Sequence, residues 1–190
     1  MTLFPSGYAG AMVRLAILRT RADVRALDPE FRKRVFRLMR HLARAGVPLG
    51  IGGGGRTTAE QTALFVSRHY VDPAGSIEWN GKRWSRKAGQ APAAPPGKSY
   101  HETTAPYGAL AVDTVPPASW DEQNLICHLF GLRHFASVNN EPWHLQPAEL
   151  PTSRTTYNAQ PSAYTLQTWR RPGSKRPGPQ FPPYPKGGKK

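Results

Sequence analysis

Apolar side chains recur with helical spacing over residues 29–45, the most regular pattern in the chain. The shared face is formed by Phe31, Val35, Leu38, Met39 and Leu42. Asp28 is placed to cap the first turn, Pro29 suits the first helical position, and Gly46 suits the end. The pattern predicts an amphipathic helix packed on a core. Its many arginines are interpreted as a solvated face, with nucleic-acid contact as the alternative.

Two further helices are predicted from capping boxes, in which a Ser or Thr and a Glu three residues later satisfy each other's backbone N–H groups. The two boxes are Thr57 with Glu60 and Ser119 with Glu122. They predict helices over about 58–69 and 120–130, and Gly131 is a natural end for the second.

Strands are predicted where short apolar runs are bounded by turn residues. These runs are residues 47–51, 109–115, 132–137 and 141–146. Residues 70–100 are rich in Pro and Gly and are predicted to be a long loop with a small hairpin at Asn80-Gly81. Irregular alternation of short strands and helices predicts an α+β fold around a small antiparallel sheet with flanking helices.

The net charge of +14 is distributed unevenly. Residues 151–190 carry eight Lys or Arg, eight prolines and no acid. This composition predicts a domain over residues 1–150 followed by an extended, basic, Pro-rich arm over 151–190. Four roles stay open for the arm: attachment to an anionic cell wall, docking on a protein partner, nucleic-acid binding, or a solvated linker.

Cys127 is the one cysteine, which excludes a disulfide within the chain and a cysteine zinc finger. Its apolar surroundings predict a place in the core. No run of about 18 apolar residues is present, so no membrane span is expected. The first residues lack a basic stretch before an apolar run, so no secretory signal is expected either.

Two of the six histidines stand beside carboxylates in segments that suit a metal site. His101 precedes Asp113, and His144 lies three residues after Glu141. A catalytic zinc ion needs three N or O ligands and one open position for water. Another carboxylate must accept the water's proton and pass it to the leaving amine. Glu102 is a rival ligand, but neighbours on an extended segment point in opposite directions, which favours Asp113.

Three blocks in this order resemble the M15 family of zinc peptidases, which includes D-alanyl-D-alanine carboxypeptidases and the L-alanyl-D-glutamate endopeptidases of phage lysins. The blocks are GGRTTAEQ (54–61), GKSYH to ALAVD (97–113), and EPWH (141–144). The third is the most specific. The resemblance covers about residues 27–147 and implies a fold of the Hedgehog/DD-peptidase type.

The resemblance also implies roles for named residues. One zinc ion would be held by His101, Asp113 and His144, with Glu141 as general base. Arg56 would bind a substrate carboxylate or the developing oxyanion. Supporting positions would be occupied by Gln61, Ser99 and Trp143, with Trp143 packed beside the site. Two departures stand out: the interval from His101 to Asp113 is longer than in the family, and Gly55 replaces an aromatic residue, which predicts a wider pocket.

The expected function is therefore hydrolysis of a peptide bond in bacterial peptidoglycan, in the stem peptide or the cross-link. The resemblance to lysins places the protein in a phage virion tail, or in the host cytoplasm with later release to the wall. Expected partners are peptidoglycan and, through residues 151–190, phage structural proteins. Nucleic acid is the least favoured partner. The alternatives are a catalytically silent virion module and a nucleic-acid-binding protein in which the motifs are accidental.

Overall fold

The structure is a computed structural model, and it describes residues 17–47, 49–103, 108–115, 126–135 and 141–150. The helices are α1 (Ala22–Arg25), α2 (Pro29–Arg44) and α3 (Thr58–Arg68). The strands are β1 (Gly50–Gly53), β2 (His69–Val71), β3 (Ile77–Trp79), β4 (Lys82–Arg86), β5 (Val112–Val115), β6 (Leu132–Phe135) and β7 (Glu141–Pro147). Residues 17–20 and 126–128 are also helical.

Two small antiparallel sheets organise these elements. The larger has the strand order β1-β5-β7-β6, and the smaller has the order β2-β4-β3. The prediction of an α+β fold with small antiparallel sheets is confirmed. Among the described residues, no helix is both long enough and apolar enough to cross a membrane.

Helix α2 supplies much of the core, as its periodicity predicts. All five residues of the predicted apolar face are buried against apolar side chains of the larger sheet, including Val112, Leu132 and Leu145. The Asp28 carboxylate accepts hydrogen bonds from the backbone N–H groups of Glu30 and Phe31, which confirms the predicted cap. Cys127 is also buried in this core, and burial raises the pKa of its thiol to about 12.

The interpretation of the α2 arginines as a solvated face is wrong for Arg34, which is fully buried. Arg34 Nη1 lies 2.8 Å from Glu149 Oε1 and donates a 3.0 Å hydrogen bond to the carbonyl oxygen of Gly131. This buried cation therefore joins α2 to the residues that follow β7, and a partner 115 positions away cannot be inferred from local periodicity.

The smaller sheet occupies a stretch that was expected to be mainly loop. The hairpin at Asn80-Gly81 is confirmed: Trp79 pairs with Lys82, and φ is 50° at Asn80 and 68° at Gly81, as a two-residue type I′ turn requires. The Phe65 ring of α3 lies 5.3 Å from the ring of Trp79 and 5.3 Å from that of Trp84, measured between centroids. This aromatic cluster packs the sheet on α3, the helix that its Thr57–Glu60 capping box predicts.

Two predicted strands differ in extent from the structure. The strand expected over residues 47–51 lies at Gly50–Gly53, within the glycine run. The strand expected from residue 109 begins at Val112, because Ala109 donates its backbone N–H to Ala26 and Leu110 donates to Tyr100 instead. The predicted capping box at 119–122, the interval 104–107 and the arm over 151–190 lie outside the described residues.

Candidate metal centre

Two of the three expected ligands are placed by the pairing of adjacent strands. Asp113 of β5 and His144 of β7 are direct partners in an antiparallel register. Residues opposite each other in such a pair project from the same face of the sheet. The register therefore brings this carboxylate and this imidazole together, although 31 positions separate them in the chain.

The third ligand comes from a loop fastened on both sides. The carbonyl oxygen of His101 accepts a 2.7 Å hydrogen bond from Arg56 N, and the carbonyl oxygen of Tyr100 accepts one of 2.7 Å from Leu110 N. These bonds hold His101 over the larger sheet. Its imidazole is buried, as is that of His144, whereas the Asp113 side chain is about one-third exposed.

The donor atoms of these three residues converge on one point. His101 Nε2 lies 3.4 Å from Asp113 Oδ1 and 3.3 Å from His144 Nδ1, and His144 Nδ1 lies 3.7 Å from Asp113 Oδ1. One ligand atom from each residue lies within 4.8 Å of the others, which is the spacing of a set that could hold a metal ion.

A backbone carbonyl selects the His101 nitrogen that faces this point. His101 Nδ1 lies 3.0 Å from the carbonyl oxygen of Gly54. A carbonyl only accepts hydrogen bonds, so Nδ1 carries the proton and the neutral ring keeps its lone pair on Nε2. That lone pair faces Asp113 Oδ1, an arrangement of two acceptors that is unfavourable unless a proton or a cation lies between them. The donor set therefore fits a bound cation.

The protonation states of the group also suit a cation. Burial lowers the pKa of His144 to about 3, assisted by the neighbouring His101 and only partly offset by Asp113. Burial acts to raise the pKa of Asp113, but the neighbouring imidazoles of His101 and His144 and the guanidinium of Arg56 outweigh burial and lower it. Neutral imidazole and ionised carboxylate are the forms that bind metals.

Two groups that contact the ligands, the Gln146 side chain and the Gly54 carbonyl, were not identified from the sequence. The Gln146 side chain acts on His144 and raises the pKa of its imidazole, and the Gly54 carbonyl fixes His101. Such contacts orient metal ligands and tune their basicity. The alternation of β7 places residues 144 and 146 on one face and could have indicated Gln146. No local signal points to a backbone carbonyl 47 positions from its histidine.

The rival ligand Glu102 points away from the group. Its Oε2 accepts hydrogen bonds from the backbone N–H groups of Gly97, at 2.8 Å, and Ser99, at 3.2 Å. This carboxylate therefore closes the Gly/Pro-rich loop that carries His101. The sequence preference for Asp113 over Glu102 agrees with this placement.

The three donors open onto a cleft of about 290 Å³. Its lining contains every other site residue expected from the sequence: Arg56, Gln61, Ser99, Glu141 and Trp143. It also contains Arg68 of α3, whose Nη1 donates to the carbonyl oxygen of Pro92 at 3.2 Å and which was not expected in the site. The cleft thus combines a group that could hold a cation with one further carboxylate and two guanidinium groups.

An irregularity in β7 places Glu141 and His144 on the same cleft. His134 of β6 pairs with Leu145, but the next residue, Phe135, pairs with Glu141, so residues 142–144 form a bulge. In a regular strand, side chains three positions apart point to opposite faces. A bulge redirects side chains, and here both residues line the same cleft.

The remaining expected residues occupy distinct places around this cleft. Ser99 is buried, and its hydroxyl accepts a 3.3 Å hydrogen bond from His101 N. Gln61 is buried, donates from Nε2 to Ala94 at 2.6 Å, and keeps Oε1 without a hydrogen-bond partner among the described residues. Trp143 lines the cleft and is 40% exposed.

Gly55 does not widen the cleft as expected. A side chain at this position would meet the Cβ atoms of Ala109, at 3.1 Å, and Ala26, at 3.2 Å. Gly55 N also donates a 2.8 Å hydrogen bond to the carbonyl oxygen of Asp23. The absence of a side chain therefore permits close approach to the segment after α1 and leaves the cleft unchanged.

No model of a known protein family matches the chain, and comparison with curated proteins finds no match. The site is thus characterised by its own geometry: a buried group of His101, Asp113 and His144 that could hold a metal ion.

Proposed function

We propose that this protein is a zinc-dependent peptidase that hydrolyses a peptide bond of bacterial peptidoglycan. The observation that carries the proposal is the position of the His101, Asp113 and His144 donors at the base of a cleft that also contains Glu141 and Arg56. Two imidazoles and one carboxylate are a donor set that zinc favours, and three ligands leave one position open. The resemblance of the three sequence blocks to the M15 family supports the choice of substrate.

Three residues of the cleft besides the metal ligands have chemical tasks under this proposal. A bound zinc ion lowers the pKa of water and polarises a carbonyl group. The Glu141 carboxylate accepts a proton from the attacking water and delivers it to the nitrogen of the broken C–N bond. The Arg56 guanidinium offers paired N–H donors to a substrate carboxylate or to the developing oxyanion. Gln61 Oε1 accepts a hydrogen bond from a substrate amide.

The resemblance to lysins extends the proposal to the setting. We propose that the protein acts on the host wall as a phage lysin or a virion tail component. Residues 151–190 would then contact the anionic wall or other virion proteins.

The test is digestion of purified peptidoglycan by the full chain loaded with zinc, with fragments identified by mass. New amino termini are expected, and a chelator should abolish their formation. Released alanine alone would indicate a carboxypeptidase, whereas cleavage within the stem or cross-link would indicate an endopeptidase.

Glu141→Gln separates the proposed base from the metal ligands. This variant should retain zinc and lose activity by about 10²–10⁴-fold, the usual contribution of a positioned base. Glu78→Gln, the same chemical change at an exposed position of β3, is the matched control and should keep full activity. Failure of the zinc-loaded native protein to form new amino termini would contradict the proposal and favour a silent binding module.

A further inference from the structure

A second cleft, of about 540 Å³, is lined almost entirely by cationic side chains. It lies along α2 and the segment before it, and we call it the arginine cleft. Its six cations are Arg19, Arg25, Arg32, Lys33, Arg37 and Arg40. The remaining lining residue is Phe36, so no acid lines this cleft. None of these residues belongs to the metal centre.

Helical spacing places the four α2 cations of the cleft on one side of the helix. Lys33 and Arg37 are four positions apart, as are Arg32 and Phe36, so their side chains are neighbours on the helix surface. Like charges at this spacing repel each other and destabilise a helix. Glu30 lies 3.6 Å from Lys33 Nζ, but it also lies 3.8 Å from Arg34 Nε and does not line the cleft. The cluster is therefore only partly compensated within the described chain.

Several cations of the cleft are oriented rather than dispersed in solvent. The Arg19 guanidinium lies 5.0 Å from the centroid of the Phe36 ring. Arg32 Nη1 donates a 3.0 Å hydrogen bond to the carbonyl oxygen of Arg25. Arg40 is half-buried in the lining, and its Nε has no hydrogen-bond partner among the described residues.

These features indicate phosphate recognition. Arginine presents paired N–H donors that match phosphate oxygens, and several arginines in one cleft suit a repeating anion. Single-stranded nucleic acid would also need aromatic surfaces on which bases stack. Phe36, the one aromatic residue of the lining, is buried and covered by Arg19. A phosphate polymer without bases therefore fits the cleft better.

We propose that the arginine cleft binds the phosphate groups of an anionic phosphodiester polymer of the bacterial cell wall. The choice of a wall polymer rests on the proposed function, whereas the preference for phosphate rests on the cleft itself. Binding would hold the metal centre near its substrate while leaving the chemistry at that centre unchanged.

The test measures binding of poly(glycerol phosphate) chains to the full-length protein at several salt concentrations. Lys33→Gln/Arg37→Gln removes two exposed cations of the cleft. The variant should bind at least about tenfold more weakly, and its slope of log affinity against log salt should fall by about two. Lys82→Gln/Arg86→Gln makes the same charge change at exposed positions of β4, outside the cleft, and should bind as the native protein does.

Equal affinity of the two double variants would overturn the proposal, as would tighter binding of double-stranded DNA with the same number of phosphates. Hydrolysis of a soluble, phosphate-free peptidoglycan fragment is measured in parallel, and Lys33→Gln/Arg37→Gln should cleave it at the native rate. If the native protein bound the polymer but hydrolysed no peptidoglycan fragment, the proposed function would be contradicted and phosphate binding by the arginine cleft would stand. If it hydrolysed the fragment but did not bind the polymer, phosphate binding by the arginine cleft would be contradicted and the proposed function would stand.

Discussion

The metal centre and the arginine cleft gather charge by opposite means. In the candidate metal centre, donors from a loop and two strands converge to within 3.3–3.7 Å, and the Gly54 carbonyl, from a distant segment, orients one of them. In the arginine cleft, most of the cations follow from the spacing of a single helix. A metal site thus needs correct long-range register, whereas a cationic surface needs only correct helical periodicity. A substitution in one region should therefore leave ligand binding at the other region unchanged.

The largest expected effect distinguishes two arginines of the same helix. Arg34→Met removes a buried cation that pairs with Glu149, and should lower the free energy of unfolding by about 3 kcal/mol. Arg37→Met, at an exposed position of the arginine cleft, should change it by less than about 0.5 kcal/mol. Urea unfolding of both variants measures the contrast. Similar losses would show that the cleft arginines are structural too.

Asp113→Asn should disable the metal centre and leave the arginine cleft intact. Loss of an orienting contact typically costs 10–100-fold in metal affinity, so loss of a ligand charge should cost at least about 100-fold. Glu102→Gln is the matched control, because its carboxylate caps the Gly97 and Ser99 N–H groups and should not affect zinc affinity. Competition with a chromogenic chelator measures both. If Glu102→Gln lost more zinc affinity than Asp113→Asn, Glu102 rather than Asp113 would be the metal ligand.

Acid should weaken the fold through the histidines of the larger sheet. Burial lowers the pKa of His134 to about 4, well below the ordinary value near 6.5. Between these values the unfolded chain binds a proton that the native chain does not, so stability is full above about pH 6.5 and falls as pH falls towards 4. For metal-free protein the loss from His134 should be roughly 2 kcal/mol at about pH 4.5.

His134→Gln should remove that part of the pH dependence, which urea unfolding near neutral pH and near pH 4.5 would measure. His144 should contribute in the same direction, because burial lowers its pKa as well. The arginine cleft has no histidine or carboxylate in its lining, so polymer binding should not follow the same profile. An unchanged pH dependence in the variant would contradict the assignment to His134.

The smallest expected effect concerns Gln146, the residue beside the candidate metal ligand His144. Gln146→Leu removes the polar side chain that acts on His144 and should weaken zinc binding by about tenfold while the ligands remain. Gln90→Leu, at an exposed loop position, is the matched control. Calorimetric titration with zinc measures both variants. Equal affinities would show that burial alone orients His144.

Much of the fold follows from local signals, and the exceptions have physical causes. The Asp28 cap and the Thr57–Glu60 box specify α2 and α3 because each satisfies its own backbone N–H groups. The smaller sheet was missed, apart from its hairpin, because strands of three to five residues are too short to show a sustained apolar alternation. Its position depends on the aromatic cluster around Phe65, which is a tertiary contact.

The candidate site was predictable to the extent that its residues are marked by motifs. His101, Asp113 and His144 could be proposed because each lies beside characteristic neighbours, and the structure brings all three together. The partner of Arg34 could not be identified, since Glu149 approaches only through the path of β7. The same limitation applies to the Gly54 carbonyl, because any residue could supply one.

The bulge in β7 makes this centre sensitive to chain length as well as to the identity of its side chains. Three residues occupy an interval that the facing strand β6 crosses in a single step. Removing Pro142 or Trp143 would change the direction of Glu141 relative to His144, so that the two side chains no longer line one cleft. Many substitutions between these two residues should therefore be tolerated where a single deletion is not, and libraries built to diversify this centre should vary composition at constant length.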